Sequence, residues 1–204
     1  MTLVIAIDGP AAAGKGTLAR RLAAHLGLAH LDTGLLYRAV GRRVLLAGAD
    51  PSDPVVAAQA AEGLHLDDLA RPDLRGPAAD RAASAVAAIP AVRAALLAYQ
   101  RRVAAGGGVL DGRDIGTVVV PEAPIKLYVV ASLDARARRR WQETGGALGD
   151  VTAAMATRDA QDEHRAAAPL RRAADAVVID TSDMTADQVF ARAMKIVTAR
   201  TGFA

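Results

Sequence analysis

Four groups of residues in this sequence have the types and spacing to do chemistry. The first is the run Gly9-Pro10-Ala11-Ala12-Ala13-Gly14-Lys15-Gly16-Thr17, entered through Ile7-Asp8. Gly9 and Gly14 permit a tight turn and close approach of backbone to an anion, and Lys15 adds a mobile positive charge suited to the β- and γ-phosphates of a nucleotide. The chain holds 25 basic residues but only three lysines, Lys15, Lys126 and Lys195, so a lysine here is not a by-product of composition. The second group, Asp111-Gly112-Arg113-Asp114, sets a guanidinium between two carboxylates. Taken alone it reads as a polar turn with an internal ion pair; beside a phosphate loop it reads as part of a site. The third is Arg158, Asp162 and Arg165, spaced to share one helix face, and the fourth is Arg136, Arg139 and Arg140 on the preceding helix. The bland alternative for the third is an exposed ladder of ion pairs worth ~0.3–0.5 kcal/mol each.

These groups need elements to hold them. Leu3 to Ile7 is a short, continuous apolar run that suits a strand buried on both faces. Leu18, Leu22 and Leu26 lie four apart and Gly27 follows, which predicts a helix. Gly9 to Lys15 therefore sits where a strand becomes a helix N-terminus, and there unpaired N–H groups and the helix dipole favour an anion. Further strands are predicted at Leu28–Asp32, up to Asp111, at Ile125–Ala131 and at Ala176–Asp180. Helices are predicted from Leu35 to near Gly48, from Pro54 to about Gly63, over Ala78–Ile89, from Pro90 to about Ala105, from Asp134 to about Glu143, from roughly Thr152 to Arg165, and after Thr185 with Val189, Met194 and Val197 inward. Leu64 to Asp80 reads as an irregular surface insertion, and Thr144 to Asp150 as a glycine-bearing tip between the two arginine helices. Alternating strands and helices predict a parallel five-stranded sheet with helices on both faces, and its strand C-terminal ends collect Asp8, Asp32-Thr33, Asp111 to Asp114 and Asp180.

A chain of 204 residues fits one domain. Only 3% of residues are aromatic, so the core must rest on Leu, Val, Ile and Ala. The absence of cysteine excludes disulfides, thiolate metal sites and a cysteine nucleophile. His25, His30, His65 and His164 lack metal-ligand spacing and read as surface or packing residues. The first apolar run is too short for a signal or a membrane span, so the expectation is a soluble cytoplasmic protein. Net charge is +3 with a pI of about 9.7, without the lysine stripe or aromatic set of a nucleic-acid binder. Anionic small substrates account for it, and neither nucleic acid nor membrane is expected as a partner.

Taken together, Ile-Asp-Gly-Pro, Gly-Lys-Gly-Thr, Leu31-Asp32-Thr33-Gly34-Leu35-Leu36-Tyr37-Arg38, Asp111-Gly112-Arg113-Asp114-Ile115-Gly116-Thr117 and Ala168-Pro169-Leu170 resemble the bacterial cytidylate kinases over nearly the whole chain. The resemblance implies a P-loop nucleoside monophosphate kinase fold in one domain over 1–204, with a monophosphate-binding insertion at about 49–105 and a lid at about 134–165. It implies transfer of the ATP γ-phosphate to CMP or dCMP, with Mg²⁺ carried by ATP and water and Thr17 beside it; the expected state is a monomer. By the same resemblance Lys15, Arg113 and Asp114 form the catalytic group, and Arg136, Arg139 and Arg140 join the loop residues on ATP. Arg38 and Arg113 hold the CMP phosphate, Thr33 and Tyr37 line its pocket, Ser84, Arg93, Asp114 and Arg165 surround cytosine, and Arg158 and Asp162 meet the pentose. Two departures stand out: Ala12 replaces a glycine usual in the family, and the Leu64–Asp80 insertion is short and lacks a strand-like stretch. The chemistry needs no His or Ser nucleophile, because the acceptor phosphate, with a second pKa of about 6, is largely ionised at neutral pH. Its demands are in-line placement, charge neutralisation and exclusion of water. Rival readings are a related kinase acting on UMP or AMP, and a nucleotide-gated binding protein, which would hydrolyse ATP slowly and accept no monophosphate.

Overall fold

The computed structural model describes residues 2–202, apart from the side chain of Leu66. Its elements follow the predicted alternation: β1 (Val4–Asp8), α1 (Lys15–Leu26), β2 (His30–Asp32), α2 (Thr33–Leu46), α3 (Pro54–Glu62), α4 (Pro77–Ala87), α5 (Pro90–Ala105), β3 (Gly108–Gly112), β4 (Ile125–Val130), α6 (Leu133–Thr144), α7 (Leu148–His164), β5 (Val177–Asp180) and α8 (Ala186–Thr201). The five strands form one parallel sheet in the order β2-β3-β1-β4-β5. Register decides where the chemistry collects. Asp111 lies beside both Ile7 and Asp32, and Asp8 lies beside Gly112 and Tyr128, so three strand ends bring their carboxylates to one edge.

One face of the sheet packs Ile5, Ile7, Val109, Ile125, Leu127, Val129 and Ile179 against Leu18 and Leu22 of α1 and Val189, Ala193 and Val197 of α8. The other packs Ala6, Leu31 and Leu110 against Ala104, Ile115 and Val119. A third cluster, including Leu36, Val40, Val44, Ala57, Val86, Val92 and Leu96, binds α2 to α3, α4 and α5. Each fully buried Leu, Ile or Val contributes ~1.5–3 kcal/mol, and the core is largely aliphatic, with Tyr37 its one buried aromatic side chain among the described residues. Met194 is only half-buried; Ala193 takes the innermost position on α8.

Four boundaries differ from expectation. Leu28 closes the C-terminus of α1, its N–H donating to the Ala23 carbonyl over left-handed Gly27, and this delays β2 to His30. Two 3₁₀ turns, Leu66–Ala70 and Pro72–Leu74, occupy the irregular stretch, which ends at Gly76 because Pro77 opens α4. α7 begins at Leu148, leaving a tip of only Gly145, Gly146 and Ala147; Gly149 is inside the first helical turn, where it reads as a breaker in sequence. Finally, Ile115–Val119 forms one wide π-helical turn after β3. Among the described residues no single helix is long and apolar enough to cross a membrane.

Candidate functional site

The loop from Gly9 to Gly14 leaves β1 and enters α1 at Lys15 through three residues with positive φ: Gly9 at 146°, Ala12 at 57° and Gly14 at 92°. Ala12 thus holds the left-handed conformation with a Cβ, at a cost of about 1–2 kcal/mol. No side chain caps the N-terminus of α1, so its first N–H groups face the loop. Lys15 Nζ donates to the Pro10 carbonyl at 2.7 Å. Burial, and then Arg113, push Lys15 down to about 7, against the pull of Asp111 and Asp8. Asp8 accepts from the N–H groups of Ile115 and Gly116 at 2.7 Å each, locking β1 to the wide turn. Its burial outweighs those bonds and raises it to about 6. Thr17 is exposed, 3.4 Å from Arg20 Nη2.

On the far side of Lys15 stands an interleaved set of arginines and aspartates. Arg113 donates from Nε to Asp162 at 2.7 Å, and Arg93 pairs with Asp114 while lying 5.4 Å over the Tyr37 ring. Arg165 lies 3.7 Å from Asp114 and 3.6 Å from Asp162, and its Nε donates to the Ala168 carbonyl. Leu170 N–H in turn donates to the Asp162 carbonyl, so the Ala168-Pro169-Leu170 segment clamps the end of α7. Burial works to raise Asp162, but Arg113, Arg158 and Arg165 hold it below the usual carboxylate range. Thr33 is committed through its hydroxyl to the Asp111 carbonyl. Ser84 lies farther out, against Gln161 at 3.2 Å. Two buried guanidinium nitrogens, Arg158 Nε and Arg165 Nη2, have no hydrogen-bond partner among the described residues. Donors of this kind are costly unless a ligand meets them.

Arg136, Arg139 and Arg140 of α6 divide their work. Arg136 pairs with Asp159 on α7 at 2.7 and 3.1 Å and donates to the Ala11 carbonyl at 3.3 Å, tying both arginine helices to the phosphate loop. Arg139 turns to the end of β5, donating to the hydroxyl and carbonyl of Thr181, whose hydroxyl donates to Ala13. Arg140 reaches Asp80 on α4. Between the loop and α8 lies a cavity of about 200 Å³, lined by Gly14, Thr17, Arg139, Thr181 and Met184 among others. A larger one of about 290 Å³, beside Leu45 and Pro51, lies away from the strand ends, and its charged lining residues, Asp50 and Arg81, are exposed.

A model of the cytidylate kinase family matches residues 5–199. The chain belongs to the cytidylate kinase family. It is 58% identical over 207 residues to a cytidylate kinase of Paramagnetospirillum magneticum, covering 97% of this chain and 98% of the relative. It is 60% identical over 203 residues to one of Granulibacter bethesdensis, covering 97% of each. Two solved structures share the fold alone: an uncharacterized protein from Eubacterium ventriosum (TM-score 0.61, 14% identity, 97% of this chain and 99% of that one), and TT1252 from Thermus thermophilus (TM-score 0.52, 24% identity, 98% of each).

Within this cytidylate kinase framework, sequence reasoning missed four polar residues. Asp80, Asp159 and Thr181 are the counterparts of the arginines, and nothing in the local sequence separates them from solvent-facing residues. The fourth is His30, whose Nε2 lies 2.7 Å from Asp111 Oδ1, so it is a partner at the strand ends rather than ordinary packing. Its position on a predicted strand, two residues before Asp32 at the strand end, is the available signal.

Proposed function

We propose that this protein transfers the γ-phosphate of ATP to CMP or dCMP, yielding ADP and the cytidine diphosphate. The observation that carries the reading is the meeting of two anion sites around Lys15: a bare helix N-terminus on one side, and the Arg113, Arg158 and Arg165 guanidinium groups on the other. The loop residues Gly9 to Thr17 fit a polyphosphate, because left-handed turns at Gly9, Ala12 and Gly14 lead into an α1 N-terminus that no side chain caps. Mg²⁺ would enter on ATP, and Thr17, exposed on the first turn of α1, is the loop hydroxyl that would meet it. When bound, the ion neutralises charge on the β- and γ-phosphates.

An oxygen of the acceptor phosphate attacks the γ-phosphorus, and the bond from that phosphorus to the β,γ-bridging oxygen breaks. Lys15 and Arg113 stabilise charge in flight; Arg38 and Arg113 hold the acceptor phosphate. Arg136 closes the lid on the loop, and the cavity beside Arg139, Thr181 and Met184 takes the donor's base. The acceptor base lies at Arg93, Asp114, Arg165 and Ser84, with Tyr37 beneath Arg93. A guanidinium only donates, so it suits N3 and O2 of cytosine and opposes the N3–H of uracil. Each unmet buried group costs about 1–3 kcal/mol, so two mismatches give a preference of roughly a few hundred-fold.

The test is ADP release across a panel of nucleoside monophosphates, with kcat/KM for CMP and UMP in wild type and Arg93→Ala. Wild type should favour CMP by about two orders of magnitude, and Arg93→Ala should shrink that ratio about tenfold or more. Equal wild-type efficiencies would overturn the base assignment. ADP release independent of any acceptor would instead mark a nucleotide-gated binding protein.

A further inference from the structure

Asp80 sits among the acceptor-site arginines on the first turn of α4, and the transfer chemistry has no use for it. Arg38 of α2 donates to its Oδ1 from Nη2 at 2.9 Å and Nε at 3.2 Å. Arg158 of α7 lies 3.4 Å from the same oxygen, and Arg140 of α6 pairs with Oδ2. Three guanidinium groups from three helices thus share one carboxylate, itself only 13% exposed. The other nearby acids are already engaged: Glu143 with Arg140 on the outer side, and Asp162 with Arg113. Burial disfavours the charge on Asp80, yet Arg158, Arg38 and Arg140 together hold the group below the usual carboxylate range.

To a guanidinium, a carboxylate and a phosphate are the same kind of partner, a fork of oxygens carrying negative charge. Arg38 in its present geometry spends both its Nε and an Nη on Asp80. We propose that Asp80 competes with the acceptor's phosphate for Arg38, and so sets how tightly a phosphate-bearing acceptor is held. The proposal rests on the reading of Arg38 as an acceptor-phosphate residue. A phosphate that takes Arg38 must first break the Arg38–Asp80 pair, and the carboxylate left nearby repels it. Both effects subtract from the binding of CMP and bear far less on its nucleoside, because cytidine carries no group that needs Arg38, and Arg158, read as a pentose contact, only approaches Asp80 at 3.4 Å. The consequence is a higher KM and easier departure of phosphorylated ligand, in keeping with an enzyme that gains nothing from holding its ground state tightly.

Calorimetric titration of CMP and of cytidine into wild type and Asp80→Asn tests this. The amide keeps shape and one acceptor oxygen while removing the charge. CMP should bind the variant about tenfold more tightly, with its KM falling in parallel, while the cytidine Kd stays within about twofold. A merely structural Asp80 would move both ligands together. Unchanged or weaker CMP binding, or equal shifts for CMP and cytidine, overturns the proposal. Asp80→Ser is read in the same way should Asp80→Asn not fold; if neither folds, the carboxylate is required for structure and the proposal falls. Arg38→Ala separates the underlying reading. CMP affinity unchanged in Arg38→Ala removes Arg38 from the acceptor site, whereas CMP affinity lost there but unchanged in Asp80→Asn refutes only the role of Asp80.

Discussion

At the scale of single residues, the buried charge of Lys15 governs the expected pH behaviour. Its ammonium sits low, at about 7, because burial and Arg113 disfavour the charged form. The charge is therefore present below about pH 7 and lost above it in the free protein. Phosphates brought against Lys15 stabilise the ammonium and move its titration upward. kcat/KM for ATP should accordingly fall about tenfold per pH unit above about pH 7, while kcat at saturation holds to higher pH. Rate profiles between about pH 6 and 9 check this, and a flat kcat/KM across that range would contradict the charge state assigned to Lys15.

At the scale of elements, the β1-to-α1 turn is the part with least tolerance. A Cβ built on Gly9 falls 1.9 Å from the Val129 carbonyl oxygen, which is ladder backbone of β4 and has no room to move. At Gly14 a Cβ meets nothing within 4 Å, and only the backbone conformation objects. Gly9→Ala should cost about 3 kcal/mol or more, from overpacking and strain combined. Gly14→Ala should cost about 1–2 kcal/mol, the left-handed penalty alone. Urea unfolding of the two variants side by side ranks them, and equal costs would mean that the strand-to-strand approach at Gly9 is looser than described. Ala12 bears the same penalty as Gly14→Ala would, without help from a glycine, so the surrounding loop already carries strain at this turn.

Over the whole molecule, stability toward acid depends on the carboxylates that hold the helices of the site together. Asp162 is held below the ordinary range by Arg113, Arg158 and Arg165 despite its burial. A depressed carboxylate stabilises the fold above its unfolded value of 3.8, and that contribution is lost as pH falls through the still lower folded value. Asp8 acts in the opposite sense: raised to about 6, it favours the folded state while protonated and withdraws that help as pH rises between 3.8 and about 6. Through Asp8 the unfolding free energy should therefore decline as pH rises from about 4 to about 6, and through Asp162 it should decline as pH falls below about 4. Asp162→Asn should lower stability at neutral pH by about 2 kcal/mol and narrow the gap between neutral and acid conditions. Denaturant titrations of wild type and variant under both conditions measure that gap, and an unaltered gap would place the acid sensitivity elsewhere.

What the sequence determined by itself is what short-range chemistry controls. The apolar run ending at Asp8, the Gly9-to-Lys15 spacing and the four-residue rhythm of Leu18, Leu22 and Leu26 specify a strand, a phosphate turn and a helix without help from the rest of the chain. The same local logic sets the alternation of strands and helices, and with it the strand ends at which Asp8, Asp32 and Asp111 gather. Only the tertiary structure decided the partners. Asp80 meets Arg38 across 42 residues and Arg140 across 60, and Arg136 meets Asp159 across 23. Among 22 acidic residues, an aspartate on an Ala-rich helix looks the same whether it faces water or three arginines. Arg139 illustrates the converse. Spacing put it on one face with Arg136 and Arg140, but the packing of α6 against the end of β5 commits it to Thr181. Periodicity assigns a side chain to a face of its helix; which elements that face meets depends on how the sheet and its helices pack.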